Sequence, residues 1–417
     1  MYFPFRNIIF VIIAVQFTAA VNNNVCPTID DYETIDTNPK CNYNPDISGN
    51  ITEMVTNHGF NIESHTVTTW DGYILEIFRI PSSVNDTCDN SKPKQPMLFV
   101  HGINRDARCW LLMGSQSPAL YYASKCYDVW VANTRGSIYS KHQTYSSYSK
   151  DFWDFSFHET ATIDIPAIVD TIANVTDQAG KIIYVGHSMG TTISYIYGSV
   201  NATHCKNNVK AIISLAPVAY LDKIKVPFIR LIALNGHLIM DTLYFVKLYW
   251  LQLQPILSFC TGFPFINACD YFAQIIFGKC KPNIYPQTLP VLTANGSAPI
   301  SVKTLMHYSQ IITRFGRFAW YDYGIVENLS RYKSIFPPLY DVGKIEVNVD
   351  LIYANDDLFA VKDDVMVLYN NLQDDLKSIA EVPKDLSQYM NHLDFLISAN
   401  MNEIYDIIDS KLKNYTN

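Results

Sequence analysis

The 417-residue chain carries 31 Lys and Arg against 39 Asp and Glu, and its net charge of −8 argues against nucleic acid as a partner. Its 48% apolar content supports a large core, and its length suits one large domain with an insertion, or two domains. Nine cysteines without a Cys-x-x-Cys pair point away from a zinc site, and their odd number leaves at least one thiol unpaired within a single chain, or bonded to another chain.

The N-terminus, residues 1–20, reads as a signal peptide. Arg6 supplies the charge, Ile8 through Phe17 form the apolar core, and Thr18-Ala19-Ala20 is a small-residue cleavage site. At about ten residues that core is too short to span a bilayer. No later stretch is long and apolar enough, so no transmembrane segment is expected after signal cleavage. Entry to the secretory pathway gives meaning to the Asn-x-Ser/Thr sites at Asn50, Asn85, Asn174, Asn201, Asn295, Asn328 and Asn414, each expected at the surface. Asn174 and Asn201 follow predicted helices and are expected at helix ends.

His65 to Pro81 alternates and contains Asp71-Gly72, a hairpin signal. Apolar runs follow at Met97–Val100, leading into His101-Gly102-Ile103, and at Asp128–Ala132. Ile165, Ile168, Val169, Ile172 and Ala173 recur at helical spacing. Then comes Ile182-Ile183-Tyr184-Val185, the turn Gly186-His187-Ser188-Met189-Gly190, and Thr191 to Ile196 as the start of a helix. A strand, a sharp glycine-flanked turn and a helix are what a nucleophilic serine requires. Bulk at either glycine would crowd the bend, and Ser188 sits where its hydroxyl can face a substrate and a base.

Lys210 to Ala216 reads as a further strand, and the strand–helix alternation to this point predicts a mainly parallel sheet covered by helices on both faces. The pattern breaks after Pro217. Residues 219–341 read as an insertion of apolar helices and loops with no clear strand, dense in Ile, Leu, Phe, Tyr and Trp between Val226 and Phe259. They separate a first core part, 21–218, from a second, 342–417. The strand pattern resumes at Val347–Tyr353, followed by the turn Ala354-Asn355-Asp356-Asp357-Leu358. In this architecture the order is Ser, then acid, then His. His392 alone lies beyond residue 307, so it is the candidate base; Asp356, Asp357, Asp363 and Asp364 compete as the acid. An oxyanion needs two backbone N–H donors, one from the residue after the nucleophile, Met189, and one from the loop after an early strand, Ile103.

Together these segments resemble the acid lipase family, which includes gastric and lysosomal acid lipases. The carrying residues are His101-Gly102-Ile103 with Trp110; Tyr127 to Gly136; Phe152 to Glu159; Gly186 to Thr192; Tyr321 to Gly324; and Asn391-His392-Leu393-Asp394-Phe395, in the family's order across nearly the whole mature chain. The resemblance implies an α/β-hydrolase fold with an inserted, mostly helical cap. It also implies Ser188 as nucleophile, His392 as base, Asp357 as the acid, and Ile103 and Met189 as oxyanion donors. Cys260 and Cys269 match the family's cap disulfide. The implied substrate is a neutral lipid ester, triacylglycerol or sterol ester, met at a lipid–water interface, often at acid pH, in an extracellular or lysosomal setting. No metal or organic cofactor is called for, and no feature specifies an oligomeric state. Two departures stand out: Met189 replaces the family's Gln, and Ile103-Asn104 replaces two leucines, placing a polar side chain near the acyl pocket. An esterase of small soluble esters and a non-catalytic lipid-binding protein on the same fold are the competing expectations.

Overall fold

The chain opens its main sheet with the hairpin expected around Asp71-Gly72, strands β1 (Glu63–Thr68) and β2 (Tyr73–Ile80). The chain then adds β3 (Pro96–Val100), β4 (Asp128–Ala132), β5 (Ser140–His142), β6 (Ile182–His187), β7 (Val209–Leu215), β8 (Asn348–Ala354) and β9 (Lys377–Val382). This computed structural model describes residues 22–84, 87–89, 91–280, 285–314 and 317–415; the signal peptide expected at 1–20 and the sequon at Asn85 lie outside them. The nine strands form one sheet in the order β1-β2-β4-β3-β6-β7-β8-β9, with β5 antiparallel on β2. From β4 to β9 every neighbour is parallel, and helices cover both faces. Strands β3, β4 and β6 are buried along their whole length, which is why their sequences are unbroken apolar runs rather than alternating ones.

Helices α1 (Ile165–Thr176) and α2 (Met189–Val200) flank β6 in the chain. The apolar stripe Ile165, Ile168, Val169, Ile172 and Ala173 is the buried face of α1, as its spacing predicts. Between β7 and β8 lie α3 (Pro227–Leu234), α4 (Gly236–Phe245), α5 (Phe265–Phe277), α6 (Thr288–Asn295), α7 (Val302–Thr313) and α8 (Ile325–Tyr332). Where the sequence shows no clear strand, Trp250–Leu251 pairs antiparallel with Ile300–Ser301. A two-residue ladder is too short to leave a period in the sequence. The segment is tied to the core through α7: Ser301 Oγ donates to the carbonyls of Trp153 (2.9 Å) and Phe155 (2.8 Å), and Lys303 pairs with Asp154 (3.0 Å). Much of its apolar surface is nonetheless uncovered, with Leu231, Leu238, Phe245, Phe259, Tyr271 and Phe272 all exposed. No helix among the described residues is long and apolar enough to cross a membrane.

Disulfides join Cys26 to Cys41, Cys88 to Cys126, and Cys260 to Cys269. Only the last pairing is the one implied by resemblance; Cys109 and Cys205 are buried thiols. The sequons divide. Asn50 and Asn414 are exposed, Asn174 is exposed in the last turn of α1, and Asn201 is half-buried at the C-terminal cap of α2. Asn295 and Asn328 overturn the expectation that sequons lie at the surface. Asn295 is buried, its amide N–H groups donating to the carbonyls of Asp46 (2.7 Å) and Ile47 (3.2 Å) while its oxygen accepts from Arg108 (3.0 Å). Asn328 is fully buried, bonded to Asp322 (2.8 Å), the Ile335 carbonyl (3.0 Å) and the Tyr323 N–H (3.0 Å). Neither nitrogen can carry a glycan while those bonds stand.

Candidate active site

Strand order reverses between β3 and β6: from β3 the chain steps to β4 on one side, then returns to place β6 on the other. At such a switch point the loops leaving the two carboxyl ends diverge and open a crevice. The loop after β3 carries His101-Gly102-Ile103, and the turn after β6 carries Ser188. The pattern read from the sequence thus falls where the topology makes room for a ligand.

Ser188 adopts φ 53° and ψ −117°, a strained backbone for a residue with a side chain. Its neighbours enforce it. A Cβ on Gly190 would lie 2.2 Å from the Val100 carbonyl oxygen of β3, and one on Gly186 would lie 2.7 Å from the Gly190 carbonyl carbon. Only glycine lets α2 start so close to the sheet. The Ser188 N–H still donates to Leu215 of β7 (3.0 Å), so the turn is pinned from its far side.

Three side chains distant in sequence meet here. His392 Nε2 accepts from Ser188 Oγ at 2.8 Å, and His392 Nδ1–H donates to Asp357 Oδ2 at 2.8 Å. The other oxygen of Asp357 accepts from the N–H groups of Phe359 and Ala360, each at 2.8 Å, so the carboxylate is held on both sides. All three residues are buried. The competing acids are engaged elsewhere or face solvent. Asp356 accepts from the Lys279 N–H (2.6 Å), Asp364 accepts from the Lys223 N–H (2.8 Å), and Asp363 is exposed.

The backbone N–H groups of Ile103 and Met189 meet no acceptor among the described residues. They flank a cleft whose walls include Phe155, Phe157, Ile300 and Thr304, with Asn104 and Arg105 beside them. A second cleft is lined by His307, Arg314, Trp320 and Phe336, and no triad side chain lines either cleft. No cluster of three or more metal-ligating side chains occurs among the described residues.

Several supporting groups were not legible in the sequence. His187 donates from Nε2 to the His392 carbonyl (2.9 Å), fixing the backbone of that loop. Burial, and then the neighbouring His392, hold the His187 pKa well below the usual imidazole range, so it stays neutral beside the triad. Asp394 accepts from the Asn391 N–H (2.6 Å), while its Oδ1 finds no partner among the described residues. Burial, with Asp357 adding to it, pushes the Asp394 carboxyl up to about 7. The end of α5 also reaches in: the Phe277 carbonyl accepts from the His392 N–H (3.3 Å), and the Gly278 carbonyl accepts from Asn391 Nδ2 (2.9 Å). The motif around His392 signalled its importance, but which neighbour holds which atom depends on the insertion's path.

Comparison with known proteins bears on these residues. A family described as a partial alpha/beta-hydrolase lipase region matches residues 51–114, and one described as alpha/beta hydrolase fold matches residues 95–242. Gastric triacylglycerol lipase of Bos taurus is 33% identical over 376 residues, covering 88% of this chain and 92% of that protein. Lysosomal acid lipase/cholesteryl ester hydrolase of Macaca fascicularis is 30% identical over 381 residues, covering 89% and 92%. Among solved structures, a soluble variant of monoglyceride lipase from Saccharomyces cerevisiae superposes with a TM-score of 0.53 at 12% identity, covering 86% of this chain and 96% of that one. At that identity the likeness shows the fold alone.

Proposed function

The chain belongs to the family of gastric and lysosomal acid lipases, on the α/β-hydrolase fold, and from that premise we propose that it hydrolyses lipid esters, triacylglycerol or sterol ester, through an acyl-enzyme on Ser188. The observation that carries the reading is the continuous relay from Ser188 through His392 to Asp357, with two open N–H donors beside it. Ser188 Oγ attacks the ester carbonyl carbon as His392 Nε2 takes its proton. Asp357 keeps Nδ1 protonated and steadies the imidazolium. The Ile103 and Met189 N–H groups receive the oxyanion. As the tetrahedral intermediate collapses, His392 returns the proton to the departing alkoxide and the alcohol leaves. Water then attacks the acyl carbon, His392 again acting as base, and the acid is released with Ser188 restored.

The neutral His187 leaves the transient His392 cation without a like charge at its side. Three disulfides suit an oxidising compartment, in line with an extracellular or lysosomal setting. The exposed apolar residues of the insertion suit a surface that meets lipid.

The test is Ser188→Ala. Hydrolysis of emulsified triacylglycerol is expected to fall by roughly a thousandfold or more, with melting little changed. A serine-directed phosphonate should label the native chain and not the variant. Turnover that persists within a few-fold of wild type would overturn the reading.

A further inference from the structure

The cleft beside Ile103 and Met189 is not uniformly apolar, because Asn104 and Arg105 form part of its wall. The charges nearby are unevenly matched. Asp106 is fully buried and both its oxygens are taken by Arg108: Nε to Oδ1 at 3.0 Å and Nη2 to Oδ2 at 2.8 Å. Arg108 uses its remaining reach on Asn295 (3.0 Å). Arg105 makes no ion pair of its own among the described residues, although the field of the neighbouring Asp106 reaches it. Among the described residues, the one acceptor its guanidinium meets is the Gly296 carbonyl. A guanidinium presents a planar fork of donors, and a single carbonyl occupies only one tine.

The guanidinium is also held in place. Asn104 sits at φ 58°, its Oδ1 accepting from Ser297 Oγ (2.9 Å) and its carbonyl from the Ala298 N–H (3.0 Å). With the Arg105–Gly296 bond, these contacts clamp residues 104–105 to 296–298, immediately before Pro299 and Ile300 of the cleft wall. The arginine is therefore pre-positioned rather than swinging in solvent, which lowers the entropic cost of using it to bind. Its side chain lines the same cleft as Met189, the residue after the nucleophile. A partly buried cation whose neighbouring carboxylate, Asp106, is already paired with Arg108 is costly to the protein alone, and an oxyanion on a ligand would complete it through charge-assisted, two-pronged hydrogen bonds.

We propose that Arg105 is an anion subsite of the cleft lined by the oxyanion donors Ile103 and Met189, and that the substrates include esters bearing a carboxylate or a phosphate besides the scissile bond. The proposal rests on the reading of Ser188 as the ester-cleaving nucleophile. The two anion sources differ in where they enter: a carboxylate at the end of a short acyl chain, or a phosphate on the alcohol.

Two matched substrate pairs separate them. One is p-nitrophenyl hemiglutarate against p-nitrophenyl pentanoate; the other is lysophosphatidic acid against monoacylglycerol with the same acyl chain. The readout is the ratio of kcat/KM for the charged member to that for the neutral member. In at least one pair, Arg105→Leu should lower that ratio by roughly tenfold or more, and Arg105→Lys should restore part of it. The pair that responds names the source. Ratios unchanged by Arg105→Leu in both pairs overturn the proposal. The native enzyme decides the matter even if the leucine variant does not fold: charged-to-neutral ratios below roughly one-tenth in both pairs would also overturn it. Failure of the underlying reading looks different, since then neither member of either pair is turned over and the phosphonate leaves Ser188 unlabelled.

Discussion

Asp356 and Asp357 are adjacent in one turn, and their separate duties come from which way each carboxylate faces. Asp357 points into the protein, to His392 and two N–H groups, whereas Asp356 turns to the Lys279 N–H just after α5, midway through the insertion. Asp357→Asn should therefore cut kcat by roughly a thousandfold to ten-thousandfold, because an amide no longer secures the imidazole tautomer. Asp356→Asn should cost far less in the same steady-state assay, and a larger loss at Asp356 would reverse the assignment. The residues alone left these acids undecided, since chain order and turn position suit both; the family resemblance named Asp357. Ser188 and His392 were legible from spacing, the one because its turn demands glycines, the other because no histidine follows residue 307 except it. Arg105 was not, because which arginine the Asp106 carboxylate pairs with is a property of three-dimensional neighbours.

At the scale of elements, the strand–turn–helix from β6 into α2 was the most readable piece, because each part has its own local cause. The parallel strands announced themselves by continuous apolar runs. Strand β9, Lys-Ser-Ile-Ala-Glu-Val at the sheet edge, did not, since half-buried edge positions tolerate charge and dilute the pattern. The close packing of α2 on β3 gives a sharp prediction. Gly190→Ala should lower stability by about 1–3 kcal/mol through overpacking, because the added methyl meets the Val100 carbonyl of a central strand rather than a flexible side chain. Thermal unfolding measures it, and a melting temperature equal to wild type would mean the helix can lift from the sheet at little cost. The fate of the insertion's apolar residues was least legible: a helix that is hydrophobic most of the way round reads the same in sequence whether it packs inward or faces out.

Over the whole molecule, buried titrating groups pull stability in opposite directions with pH. The Asp394 carboxyl rises from 3.8 to about 7 on folding. The folded chain thus keeps a proton that the unfolded chain releases, so this group's contribution is fully present below about pH 4 and is lost as pH climbs towards 7. His307, depressed by burial from 6.5 to about 3, does the reverse: its contribution is present above pH 6.5 and is lost as pH falls. Asp394→Asn should therefore shrink whatever advantage acid gives, so that the difference in melting temperature between pH 4.5 and pH 7 moves towards the neutral side relative to wild type. Superimposable profiles for the two proteins would show that Asp394 is not the source.

The two interior sequons carry a consequence for biosynthesis. Oligosaccharide is attached to a nascent chain before its tertiary packing exists, so Asn295 and Asn328 are open to the transferase at a moment when nothing yet hides them. A sugar gained there would bar those amides from their native partners, and a molecule so marked could not close around them. This fold is therefore that of a chain left bare at both asparagines.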